Sequence, residues 1–224
     1  MSSDPQFHKG HRQRLAQKFW DDKITNDELL EFALGMVIRG HDVRIPARAL
    51  MKRFGNLEQV LAATPDALKR VPGIGPQTAE CLKIIHMIMT RAIGGQLAKT
   101  PVYKAKETLD TYCRTTLSQL RREEFHVLYL DQEHKVIEDE KHNTGTPNYA
   151  DLYPLEVMYR AMTIGAKNVC LYHNHPGCIC DFSPDDIDAT KALQEKLNNA
   201  EITLYDHLLV AAGTIISMKN KHLI

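Results

Sequence analysis

His173-Asn174-His175-Pro176, followed after six residues by Ser183-Pro184-Asp185-Asp186, is where this 224-residue sequence could do chemistry. On an extended segment residues i and i+2 point to one face, so His173 and His175 can present two imidazoles to one ion. Asp186, in the first turn of a following helix, can swing a carboxylate towards the same point. Two histidines and one carboxylate leave a fourth tetrahedral position for water, which distinguishes catalytic zinc sites from closed structural ones. Nitrogen and oxygen donors favour Zn²⁺, with Fe²⁺, Co²⁺ and Mn²⁺ also able to use such a set. Each piece also has a plainer use. A lone His-x-His pair is common, and Ser183, Pro184 and Asp186 make a good helix N-terminus. The two uses are compatible, because a cap would fix Asp186 in space.

For these residues to meet, a strand must end at the histidines and a helix must start at Ser183. The pattern predicts a strand over Val169–His173 and a helix over Ser183–Asn198. Around them Glu124–Leu130 reads as a strand with a hairpin partner at Lys135–Ile137, and Leu155–Ile164 as a helix. Leu204–Val210 and Thr214–Met218 read as strands around Gly213. The first half reads differently, as short helices over Asp27–Met36 (opened by Asn26 or Asp27), Ile45–Phe54 and Leu57–Ala63, with another capped by Thr64-Pro65-Asp66. After a tight turn at Gly73-Ile74-Gly75-Pro76, a helix runs from Gln77 to Ile93. Gly94-Gly95 is expected to end it and a linker to reach Pro101, before a helix from Tyr103 to about Leu120.

At 43% hydrophobic and 25% charged the chain reads as globular, without the roughly 18-residue apolar run a membrane span needs. Its zero net charge hides an asymmetry. Residues 1–106 carry 17 Lys+Arg against 10 Asp+Glu, a balance of +7, and residues 107–224 carry 11 against 18, a balance of −7. The basic half is the candidate for a polyanion. The N-terminus has no apolar segment of the secretory kind, and five irregularly spaced cysteines suit reduced thiols in a cytoplasm.

The string His-x-His-Pro-x6-Ser-x-x-Asp resembles the JAMM (MPN+) metalloprotease signature, and its HNHP opening resembles the RadC family. GHRQRL at 10–15, LLEF at 29–32, KRFGNLEQVLAATPDALKRVPGIG at 52–75, EEFHVLYLD at 123–131, PLEVMYRAM at 154–162 and YDHLLVAAGTIISM at 205–218 are similar to RadC blocks. The resemblance implies a metal-dependent peptide or isopeptide hydrolase with one Zn²⁺ on His173, His175 and Asp186. It also implies an upstream glutamate that accepts a proton from the attacking water. Glu123 and Glu124 are the candidates. Adjacent strand residues face opposite ways, so only one can serve, and the RadC pattern favours Glu123 while other JAMM proteins favour Glu124. Ser183 would donate to the developing oxyanion, in competition with its cap role.

Departures accompany the match. RadC proteins usually continue HNHP with Ser-Gly-Asp-Pro, whereas Gly177-Cys178-Ile179-Cys180-Asp181 stands here. The thiols read as small loop residues, or as an added ligand or redox pair. Pro154-Leu155-Glu156 replaces the family's Pro-Arg-Glu. Asp206-His207 matches a RadC pair and reads as a ligand-orienting group or a strand-end turn.

Val71–Ala79 resembles a helix-hairpin-helix, in which Gly73 and Gly75 allow a tight turn that aims backbone N–H groups at a DNA phosphate. Lys69, Arg70 and Lys83 flank it, and Gly10–Arg14 is a second basic cluster at a terminus. The expectation is α+β overall: an all-α helix-hairpin-helix domain at 1–100 binding the DNA backbone, then an α/β JAMM domain, cytidine-deaminase-like, at 101–224. The peptide or protein substrate is not legible. Two other classes fit the same residues: a non-catalytic DNA-repair scaffold, and a metal-dependent hydrolase of nucleic acid.

Overall fold

The computed structural model describes residues 5–118, 120–144, 152–177 and 179–224. Contacts divide the chain into two compact units, Met1–Ile88 and Met89–Ile224, and no described helix is long and apolar enough to cross a membrane. With helices first and a mixed sheet after them, the fold is α+β.

The first unit is helical: α1 (Pro5–Trp20), α2 (Asn26–Val37), α3 (Arg44–Phe54), α4 (Leu57–Ala62), α5 (Pro65–Lys69) and the start of α6 (Pro76–Leu97). Each short helix gives a few apolar side chains to one core, among them Leu30, Leu34, Leu50, Val60, Leu68 and Leu82. Helices this short are marginal alone, so the shared core and the caps hold them. Thr25, rather than Asn26 or Asp27, opens α2 with a capping box. Its hydroxyl accepts from Glu28 N at 3.3 Å, and the Glu28 carboxylate accepts from Thr25 N at 3.1 Å. Thr25→Ala is therefore expected to cost about 1 kcal/mol, read as a lower urea midpoint with an unchanged slope.

Helix α1 contains Gly10–Arg14, so this basic cluster is ordered structure. His11 Nε2 meets Glu31 Oε1 at 2.6 Å, and Arg12 donates to the Gly35 carbonyl. Helix α6 does not stop at Gly94-Gly95. The Gly94 position faces the Tyr112 ring, where an added Cβ would sit 3.1 Å from Cε2. The glycine provides a close approach, and the helix continues to Leu97.

The second unit is a five-stranded sheet of order β2-β1-β3-β4-β5. Its strands are β1 (Glu124–Leu130), β2 (Val136–Thr144), β3 (Asn168–Asn174), β4 (Thr203–Ala211) and β5 (Thr214–Ser217). The pair β3/β4 is parallel and the other pairs antiparallel. Helix α7 (Lys106–Leu117) is shorter than the expected Tyr103–Leu120. It covers one face, where Leu109, Cys113 and Leu117 pack on Leu128, Cys170 and Leu208. Helices α8 (Pro154–Ile164) and α9 (Pro184–Asn199) cover the other, with Val157, Ala161, Leu193 and Leu197 against Val127, Val169 and Leu171. Both faces are thus buried, which is why β3 is buried at all seven positions.

This topology fixes the ends. The parallel pair brings the carboxyl end of β3 beside the start of α9. Because β1 runs antiparallel to β3, with Phe125 opposite His173, the residues entering β1 arrive at the same end.

Candidate metal centre

His173 is the penultimate residue of β3. His175 follows the strand but still donates its N–H to Val210 O of β4 at 3.1 Å, so the extended geometry persists through the motif. Both imidazoles point to one side. His173 Nε2 lies 3.0 Å from His175 Nε2, and Asp186 Oδ1 and Oδ2 lie 3.4 Å from the two ring nitrogens respectively. Glu123 joins them: one donor atom from each of Glu123, His173, His175 and Asp186 fits within 4.8 Å of the others. The carboxylate of Glu124 lies elsewhere, 2.9 Å from Lys141 Nζ and facing His126.

The hydrogen bonds around the cluster set its tautomers. Thr190 donates to the Asp186 backbone oxygen at 2.5 Å, so its hydroxyl accepts from His207 Nδ1–H at 2.7 Å. His207 Nε2 must then accept from His173 Nδ1–H, at 2.7 Å. His175 Nδ1 faces the Ile179 carbonyl, a pure acceptor, at 3.1 Å and so carries a proton as well. Both Nε2 lone pairs are thereby aimed at the carboxylate of Asp186. Burial pushes the His173 and His207 pKa values down, which keeps both neutral. Burial acts to raise Asp186, but the two histidines beside it and the Ser183 hydroxyl outweigh it and hold the carboxyl ionised. A second proton, on His175 Nε2, would be donated to Asp186, and this raises the His175 pKa.

Two lone pairs and a carboxylate converging in this way repel one another unless positive charge sits between them. That charge is either a proton on His175 or a cation. The spacing suits the cation. Ligand atoms about 2.0–2.1 Å from a common tetrahedral centre stand roughly 3.3–3.4 Å apart, close to the 3.0 and 3.4 Å observed. The residues present therefore fit a first-row divalent metal.

Ser183 is the N-cap of α9. It accepts from Asp186 N at 3.1 Å and gives its hydroxyl proton to Asp186 Oδ2 at 2.7 Å, with Ser183 N on the same oxygen at 2.8 Å. In this arrangement the hydroxyl orients the carboxylate. Asp206-His207 divides its labour: His207 orients His173, whereas Asp206 accepts from its own neighbour's N–H, from Ser217 Oγ and from Lys219 N. Cys180 is exposed, and Cys178 lies outside the described residues.

Two further positioning residues went unsuspected. Asn174 points away from its flanking histidines, accepts from Glu124 N at 2.9 Å and donates to Arg122 O at 3.2 Å. It ties the stretch carrying Glu123 to the strand carrying the histidines. Thr190 starts the relay that orients His207. The alternation of β3 places residue 174 opposite 173, and that signal could have found Asn174. Phe125 stacks on the His173 ring at 5.6 Å, and Phe182 packs against His207 at 5.2 Å, giving the centre an apolar wall.

In the first unit the 73–75 turn is formed, with Gly73 at φ +86° and an added Cβ 3.3 Å from Pro46. Arg70 is exposed, and Lys69 pairs with Asp66 at 2.9 Å. Lys83 is directed elsewhere, its ammonium donating to the Ala62 and Leu61 carbonyls at 3.2 and 3.5 Å. There it caps α4 rather than facing solvent at the turn.

Comparison with known proteins matches residues 103–223 to the family model described as the RadC-like JAB domain. A UPF0758 protein of Ruegeria pomeroyi is 32% identical over 218 residues, covering 96% of this chain and 97% of its own. One of Methylibium petroleiphilum is 33% identical over 201 residues, 90% of each.

Proposed function

This chain belongs to the RadC family, and on that premise we propose that it is a zinc-dependent hydrolase cleaving a peptide or isopeptide bond. The carrying observation is the convergence of His173 Nε2, His175 Nε2 and the Asp186 carboxylate on one point, with Glu123 beside them. A divalent cation held there would supply Lewis acidity, acidifying a water and polarising a carbonyl. Glu123 is buried and close enough to the cluster to accept a proton on its carboxylate from the attacking water and return it to the leaving nitrogen. Ser183 fixes Asp186, and its O–H turns to the substrate carbonyl oxygen as charge develops there. Phe125 and Phe182 exclude water from one side, which strengthens the electrostatics of the site. The residues 1 to about 100 hold DNA without sequence preference through the Gly73–Gly75 turn, with Arg70 and Lys69 adding salt-dependent attraction.

The test presents the full chain, loaded with zinc, with a mixed peptide and isopeptide library and with labelled DNA. Zinc-dependent cleavage of an amide bond, together with DNA retention that falls as salt rises, is the expected result. Cleavage of DNA with every peptide intact would overturn the substrate assignment.

A further inference from the structure

The β1–β2 turn of the second unit lies far along the sheet from the metal centre, at the opposite end of β1. Asp131 Oδ1 accepts from Glu133 N and Lys135 N at 2.8 and 2.9 Å, and His134 takes a positive φ of 63°. The His134 carbonyl accepts from Val102 N at 2.9 Å, locking the turn to the segment before α7. This places the His134 ring between two tyrosines. Tyr103 meets it edge to face at 5.6 Å and 86°, and Tyr205 at 5.7 Å and 67°. Tyr205 reaches this side only because the β3/β4 register shifts between Val169 and Cys170, so that it faces away from His207 two residues on.

Ammonium groups bracket the rings. Lys104 Nζ lies 5.7 Å from the Tyr103 centroid, and Lys219 Nζ lies 5.0 Å from that of Tyr205. Lys99 lines the same depression. Lys135 is matched by Glu133, but among the described residues Lys99, Lys104 and Lys219 make no ion pair. The patch is thus basic on a unit, Met89–Ile224, that carries 15 Lys+Arg against 18 Asp+Glu, a balance of −3. Tyr103 is 54% exposed, which a ring serving only the core would not be. An acidic surface would need the ammonium groups alone. Three rings in a row between them suit a polyanion that also carries flat, stackable groups.

We propose that this row, Tyr103-His134-Tyr205 with Lys99, Lys104 and Lys219, binds a short stretch of single-stranded nucleic acid. Bases stack on the tyrosine faces, and the lysines now lying over those faces move to the phosphates. The row shares no residue with the metal centre or with the Gly73–Gly75 turn.

The test is fluorescence anisotropy of the full chain with a labelled oligothymidylate of roughly 12 nucleotides, its abasic counterpart and a duplex. Tyr103→Ala and Tyr205→Ala should each weaken oligothymidylate binding about tenfold while leaving abasic and duplex binding unchanged. Tyr103→Phe should retain the affinity, which separates stacking from misfolding, and Lys219→Glu should weaken both single strands. Equal losses for the abasic strand, no loss in Tyr103→Ala, or competition by polyglutamate as strong as by oligothymidylate would overturn the proposal.

Discussion

His175→Ala is expected to strip the chain of bound zinc and abolish hydrolysis, while leaving it folded. The position is chosen because it is gentle on the scaffold. His173 is fully buried and holds His207, so removing it would open a cavity and orphan a buried nitrogen, whereas the His175 side chain lies at the edge of the site. Four-ligand zinc sites are worth roughly 10–16 kcal/mol, so one ligand carries about 3–4 kcal/mol, several hundredfold in affinity. Metal analysis of chain purified without chelator, with circular dichroism as the check on folding, reads the effect. Equal zinc in His175→Ala and the parent chain would show that the cluster is not the metal site.

Glu123→Gln should separate chemistry from binding. The amide keeps the shape of a buried side chain but cannot accept the proton, so zinc content should stay at the parent level while turnover falls by about 10²–10⁴-fold. Glu124→Gln is the control. Its carboxylate pairs with Lys141 on the other side of the strand, so turnover should be unchanged. Were Glu124→Gln the inactive variant and Glu123→Gln active, the two adjacent residues would have to exchange roles.

What the sequence made legible is local and periodic. The histidines could be paired because a strand repeats every two residues, and Ser183 could be placed because a helix start has a recognisable grammar. Telling which of Glu123 and Glu124 lies beside the histidines needed the folded chain, in which Glu123 joins the cluster and Glu124 meets Lys141. The relay from Thr190 through His207 to His173 joins α9, β4 and β3, so its members are far apart in the chain. Misreadings had physical causes too. Gly94 looked like a helix stop but makes room for Tyr112, and its partner across the gap lies 18 residues on. Helix α1 lacks a clean apolar stripe, so its packing on α2 through His11 and Arg12 left little pattern to read. Strand β2 is almost wholly polar after Ile137, and pairing with β1, rather than its own composition, carries it to Thr144.

That polar strand also protects the molecule. β2 is an outer strand of the sheet, nine residues long, and a flat apolar strand there would template fibril-like growth from chain to chain. Instead it carries Glu138, Asp139, Glu140 and Lys141 in succession, and two register irregularities against β1 twist it away from a straight ladder. Arg160 reaches across from α8 to Glu138 and Glu140, further crowding the rim. The charges that hid this strand from a hydropathy reading are the ones that discourage self-association in concentrated solution.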